Sequence, residues 1–476
     1  MSSAKEPVTR RFGNGLTVLI KEDKSHPVVS LQYWVGTGSM NEGHWQGSGL
    51  SHLLEHLVFK GTEHYSGQDL ARKVQERGGH WNAYTSVNRT VYYIDGPADS
   101  WQIFLNLLTE LVFFPTFPED ELEREKGVVR REMAMYADDP DSVAYQLLMQ
   151  TLYLKHPRRW PGLGEPAAFD CLTRRDVLDY HASRYVPNNV VLSIAGDVDA
   201  AEIFSHLELL VEDLKSRPLN RELIPHEPHQ FGSRRVRKEF AVPYSKLNLA
   251  WRLPCSGHPD TPALSALASI LGGGRSARFY EKFHDRLGLV YSIEVHSNQS
   301  ETDEGAFTIS IDVDRAQRDK VRDLVLQELR NLAQEDFTED LKRVCKQTRV
   351  SRLRRRSSAA GVASEMGADW FGARNLNLSS EWQEAIERVT TEDLHRVCST
   401  WLSSPNVTEV SLDPVGSNAA EEDGSAAGTE TALSEHVLGN GMKVVVREDH
   451  RLPLAYACLA FKAGCRAENE HDAGVT

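Results

Sequence analysis

Residues 12–23 read Phe-Gly-Asn-Gly-Leu-Thr-Val-Leu-Ile-Lys-Glu-Asp, and residues 438–449 read Leu-Gly-Asn-Gly-Met-Lys-Val-Val-Val-Arg-Glu-Asp, the second lying 426 positions (438 less 12) after the first. Pro453 keeps the same offset from Pro27, and Gly464 from Gly38. With one residue dropped, Gly474-Val475-Thr476 falls on Gly49-Leu50-Ser51. An internal echo of this length marks a chain built from repeated structural units. It stops one residue before the counterpart of His52, so the pattern predicts the N-terminal part of a longer protein.

Between the echoes the elements also repeat. Runs rich in β-branched and aromatic residues at 16–20 and 28–35 predict strands. A glycine-rich loop at 36–48 precedes a helix over 50–59 that stops at Gly61. A helix at 67–77, strands at 82–86 and 90–94, helices at 101–113 and 118–136, and a buried strand and turn at 188–197 complete the block. A polar, proline-bearing stretch at 217–232 reads as a linker. The pattern then restarts with a strand at 247–253, helices at 261–271 and 277–286, strands at 290–296 and 306–313, and helices at 315–333 and 338–356. The fold class predicted is α+β: two related domains (1–216 and 233–414), each a mostly antiparallel sheet flanked by helices. A Gly/Ser/Ala-rich flexible linker at 415–435 leads to the truncated start of a third domain at 436–476.

Composition narrows the function. With 40% hydrophobic and 26% charged residues the chain can bury sizeable cores. A formal charge of −14 argues against nucleic acid as a partner. No apolar run approaches the length of a membrane span, and no secretory signal opens the chain, so a cytoplasmic or other soluble reducing compartment is expected. Six cysteines without a Cys-x-x-Cys pair predict free, mostly buried thiols.

The chemistry concentrates at His52-Leu53-Leu54-Glu55-His56. On a helix, positions i and i+4 share a face, so both imidazoles can reach one metal ion, and Glu55 shares that face within reach of an attacking water. The arrangement reverses the familiar His-Glu-x-x-His zinc motif. A catalytic zinc takes three protein ligands and keeps one open position. A carboxylate from a second helix would complete the set, and Glu125 and Glu132, two helical turns apart, lie on one face of the 118–136 helix. Taken alone, either motif also reads as a charged surface helix.

With Glu125-Lys126-Gly127-Val128-Val129-Arg130-Arg131-Glu132 following His52-x-x-Glu55-His56, the chain resembles the pitrilysin/insulinase family of zinc metallopeptidases. Gly79–Ser86, Pro187–Asp197 and Leu271–Tyr291 resemble further stretches of that family. The resemblance implies one zinc ion per chain, held by His52, His56 and Glu132, with Glu55 as general base and Glu125 supporting the ligands. It further implies an endopeptidase acting on unfolded peptides in a chamber, where Asn82, Ala83 and Tyr84 belong to an edge strand that pairs with substrate. Tyr291 matches a substrate-binding tyrosine of the second domain, but the arginine expected seven residues earlier is His284. The helix at 261–271 carries neither histidine nor glutamate and predicts no second zinc site. The chamber calls for a missing C-terminal unit or a second subunit. The alternative is a non-catalytic structural or substrate-binding subunit of a processing-peptidase-like complex.

Overall fold

Alternating apolar runs of the first block pair into a six-stranded sheet, which the computed structural model describes together with residues 6–219, 222–299, 304–402, 405–416, 434–446 and 458 as a whole. The first elements are β1 (Val8–Arg11), β2 (Thr17–Glu22), β3 (Val28–Val35), α1 (Leu50–Leu57), α2 (Gly67–Gln75), β4 (His80–Thr85) and β5 (Thr90–Pro97). Helices α3 (Trp101–Phe113), α4 (Glu119–Asp138), α5 (Pro140–Leu152), α6 (Pro166–Asp170) and α7 (Arg174–Arg184) follow, then β6 (Val190–Gly196) and α8 (Ala200–Leu210). The strand order is β1-β2-β6-β3-β5-β4, antiparallel throughout except for β2 against β6. Leucines of α1 and α3 and Tyr180 of α7 pack with β2, β3 and β6 in one core.

The second block contributes β7 (Arg234–Phe240), β8 (Ser245–Leu253), α9 (Thr261–Gly272), a wide helical turn at Tyr280–Arg286, β9 (Ser292–Asn298) and β10 (Gly305–Val313). It continues with α10 (Arg318–Asn331), α11 (Thr338–Arg355), α12 (Ala359–Ala373), α13 (Leu378–Glu387), α14 (Thr391–Val397) and β11 (Thr408–Pro414). Its sheet runs β7-β11-β8-β10-β9, the order β2-β6-β3-β5-β4 repeated. Thus α9 stands where α1 does, α4 matches α11, and α5 matches α12.

The two sheets exchange helices. Leu148, Met149 and Leu152 of α5 pack on Ala250, Ala306 and Val410 of the second sheet. Ala363 and Met366 of α12 pack on Leu19, Trp34, Val91 and Val191 of the first. Polar stitches fix both contacts: Gln32 and Ser193 donate to the carbonyls of Ala360 and Ala363, and Lys246 of β8 donates to Asp141 of α5 at 2.6 Å. At Gly367 a Cβ would come within 2.3 Å of the Trp34 ring, so only glycine lets that helix lie this close to the sheet.

Neither α5 nor α12 is predicted from the sequence, and several expectations change. Among its described residues the 217–232 stretch has no regular element, and Glu227 within it accepts from the backbone N–H groups of Leu154, Lys155 and His156, which pins it to the end of α5. The basic run at 352–356 is no purely solvated face, because Arg352 and Arg356 both pair with the buried Glu365 of α12. The expectation of mostly buried thiols fails: Cys398 is buried, but Cys171, Cys255 and Cys458 are exposed. No helix among the described residues is long and apolar enough to cross a membrane.

A hairpin of β12 (Ser434–Val437) and β13 (Lys443–Val446) pairs Ser434 with Val446 through Val437 with Lys443, the register of Val8 with Ile20 through Arg11 with Thr17. Its turn is also shared. Asn14 and Asn440 each accept from the N–H two residues ahead at 3.1 Å, and Gly15 and Gly441 hold φ of 92° and 82°. The echo positions Pro453, Gly464 and 474–476, and residues 417–433 of the expected linker, lie outside the described residues.

Candidate metal centre

Helix α1 spends its apolar residues on one side. Leu50, Leu53, Leu54 and Leu57 are buried in the core, which turns His52, Glu55 and His56 outward together. Helix α4 buries Leu122, Val129 and the charged pair Glu125 and Lys126 on one side, and Glu132 continues that row one turn on. Lys126 ties α4 in place by donating to the carbonyls of Asp170 and Leu172 at 3.0 and 2.9 Å.

The two faces meet. Glu132 Oε2 lies 3.8 Å from His52 Nε2 and 3.9 Å from His56 Nε2, and one donor atom from each of the three residues falls within 4.8 Å of the others. These separations exceed hydrogen-bond length. Zinc bonded at about 2.0–2.1 Å needs its ligand atoms roughly 3.3 Å apart, so Glu132 would close on each imidazole by about half an ångström, and the two imidazoles, whose donor atoms lie within 4.8 Å of each other, would also draw together. Burial, and then the charge of His56, lowers the His52 pKa to about 4, so this imidazole is neutral and has a lone pair to offer. His52 Nδ1 is buried with no hydrogen-bond partner. The donor set of two imidazoles and one carboxylate suits zinc.

Glu125 arranges the second histidine. One of its oxygens is 3.1 Å from His56 Nδ1, and Lys60 donates to the other at 2.7 Å. A carboxylate only accepts, so Nδ1 carries the proton of the neutral imidazole, which leaves Nε2, on the side of Glu132, as the nitrogen free to bind a metal. Glu55 is raised above the usual carboxylate range by burial, against contacts with Thr85 that lower it, and its Oε2 is buried without a partner.

Behind the helix sits a residue that sequence reasoning passed over. Gly49, the residue capping α1, has φ of 72° and no side chain to satisfy the first-turn N–H groups. A Cβ there would meet the Leu163 carbonyl at 2.0 Å, which excludes the usual capping residues. Glu42, 1% exposed, fills the gap by accepting from the Ser51 N–H at 2.8 Å. Burial pushes its carboxyl up to about 7. Lys60 was likewise not singled out.

Thr85 ends β4, and β4 is one of the two edge strands of the first sheet. Its residues alternate, Ala83 packing towards α1 and Tyr84 turning to Trp34 on the opposite face, with Asn82 exposed. A cleft of about 850 Å³ opens beside His52 and Glu132, bounded by Thr85, Tyr136, Tyr145 and Trp160 and, from the second domain, by Lys238 and Asn298. Tyr291 is not among its lining residues: it stacks near Tyr244 and donates to Asp314 at 2.8 Å. His284 stacks on Tyr280 and pairs with Asp285. The structure therefore brings His52, Glu55, His56, Glu125 and Glu132 together with the end of β4, and leaves Tyr291 and His284 outside the cleft.

Residues 17–161 match the family described as Insulinase (Peptidase family M16), and residues 172–347 match the domain described as Peptidase M16 inactive domain. An uncharacterized zinc protease of Rickettsia felis is 27% identical over 406 residues, covering 83% of this chain and 94% of its own length. One of Mycobacterium bovis is 30% identical over 299 residues, covering 61% of this chain and 67% of its own. The crystal structure of a protease from Helicobacter pylori, 25% identical, superposes with a TM-score of 0.79 over 86% of this chain and all of that one.

Proposed function

Since the chain belongs to the pitrilysin/insulinase, or M16, family of peptidases, we propose that it is a zinc-dependent endopeptidase that hydrolyses unfolded peptides. The observation that carries this reading is the meeting of His52, His56 and Glu132 around one point, with Glu55 on the same helical face. His52, His56 and Glu132 would hold the ion, one per chain, because α9, which occupies the place of α1, has no histidine or glutamate. Bound zinc would supply Lewis-acid polarisation of the scissile carbonyl and acidify the attacking water. Glu55 takes the proton of that water and returns it to the departing amine. Its raised pKa suits a group that must both accept and donate near neutrality. The open side of β4, with Asn82, Ala83 and Tyr84, would take an extended peptide by main-chain pairing that is indifferent to sequence, the peptide displacing the Asn82 side chain that now accepts from the Ala83 N–H at 2.8 Å. A second unit or subunit would close the chamber over the cleft.

Stripping the metal with a strong chelator should abolish cleavage of a quenched peptide, and zinc should restore it. A metal-free chain that cleaves at the original rate would overturn the reading. Glu125→Ala should weaken zinc binding about 10–100-fold, because His56 loses the acceptor that fixes its tautomer. Competition with a chromogenic chelator measures this, and unchanged affinity would remove Glu125 from the site.

A further inference from the structure

Helix α1 has two turns, and His52 stands in the first of them, where the backbone N–H groups have no partner inside the helix. Nothing local caps it. The glycine-rich loop instead folds back, with Gly43, Gly47 and Gly49 at φ of 62°, 82° and 72°, and delivers one oxygen of Glu42 to the Ser51 N–H. The Ser51 hydroxyl bonds Tyr180 at 2.7 Å, and Tyr180 bonds Thr37 at 2.5 Å, so the acceptor sits in a fully buried polar chain running to α7 and to the loop that follows β3. The other oxygen of Glu42 is buried with no hydrogen-bond partner, a costly arrangement for a residue with only a packing role.

We propose that Glu42 is a detached N-terminal cap of the metal-bearing helix, and so a positioning residue that holds His52 in register with His56 and Glu132. The proposal rests on the zinc reading above. What the first turn needs at that place is an acceptor atom for the Ser51 N–H, which a carboxyl and an amide both offer. An uncharged amide can therefore stand in for it. Loss of the cap frays the first turn and displaces His52, while His56, one turn deeper, stays put.

Three variants of the full chain test this: Glu42→Gln, Glu42→Asp and Glu42→Ala. Zinc affinity is read by chelator competition and, separately, thermal unfolding is read on the metal-free proteins. Glu42→Gln should bind zinc like the wild type. Glu42→Asp keeps the charge but withdraws the oxygen by one methylene, and both it and Glu42→Ala should bind about tenfold more weakly, the equivalent of a lost cap of about 1.4 kcal/mol. If the metal-free variants melt early but bind zinc like the wild type, Glu42 is only structural and the proposal falls. It falls as well if Glu42→Gln is as weak as Glu42→Ala, since charge would then be what is needed. Wild-type protein that fails to bind zinc at all would instead defeat the underlying metal reading, and the same titration shows it.

Discussion

Glu55→Gln should retain one zinc ion per chain and lose cleavage of a quenched peptide by a factor of about a thousand, within the 10²–10⁴ that positioned acid–base catalysis contributes. The substitution replaces one oxygen by an amide nitrogen and changes neither size nor reach. The residue stands between the two histidines in sequence but makes no hydrogen bond to either, and its Oε2 is unpartnered. The ligand set is thus left whole while the one acid–base group of that helical face that is not assigned to the metal is removed. A thousandfold loss corresponds to about 4 kcal/mol of transition-state stabilisation. Metal content and turnover, measured on the same preparation, decide the matter. Unchanged turnover would exclude Glu55 as the base, and a chain with no turnover even before mutation would favour the non-catalytic subunit.

Glu132→Gln should fail in the opposite order, losing the metal first. A neutral amide oxygen is a much poorer ligand than a carboxylate, and the two imidazoles that remain, 4.7 Å apart between ring centres, are one ligand short of a stable site. If three ligands share roughly 10–16 kcal/mol of binding, the loss of one is worth about 4 kcal/mol, or a factor of about a thousand in affinity. The fold should survive, because within hydrogen-bond reach Glu132 touches nothing on which packing depends and sits at the cleft rim. Gel-filtered protein analysed for metal gives the answer. Full retention would move the third ligand to another residue.

The parts of this molecule legible in its sequence are those where one periodicity dominates. Strands β2 and β3 alternate or run apolar, and α1 and α9 carry their leucines and alanines on one side, so both the sheet elements and the helix bearing His52 and His56 could be read directly. Helix α4 was legible as a helix, but its length of charged residues hid the fact that Glu125 and Lys126 are buried. Helices α5 and α12 were not legible. Each is wedged against the other domain's sheet, and α12 presents Gly367, Glu365 and Asp369 inward where a simple amphipathic pattern would show large apolar side chains. Glu42 was hidden for a different reason: its partner lies nine residues away across an irregular loop, beyond any helical or strand period. One signal was available. A helix that opens on Gly49, with no Ser, Thr, Asp or Asn at the cap, must find its acceptor elsewhere. The exposed Cys171 and Cys255 likewise show that free cysteine in a large chain need not mean buried cysteine.

The exchange of α5 and α12 has an evolutionary consequence. Each copy of the duplicated unit has lent the other a wall, so a descendant that discards the metal-free copy would bare Leu19, Trp34, Val91 and Val191 to water. Removing either block would therefore take from the other one wall of its core, so the two stand or fall together.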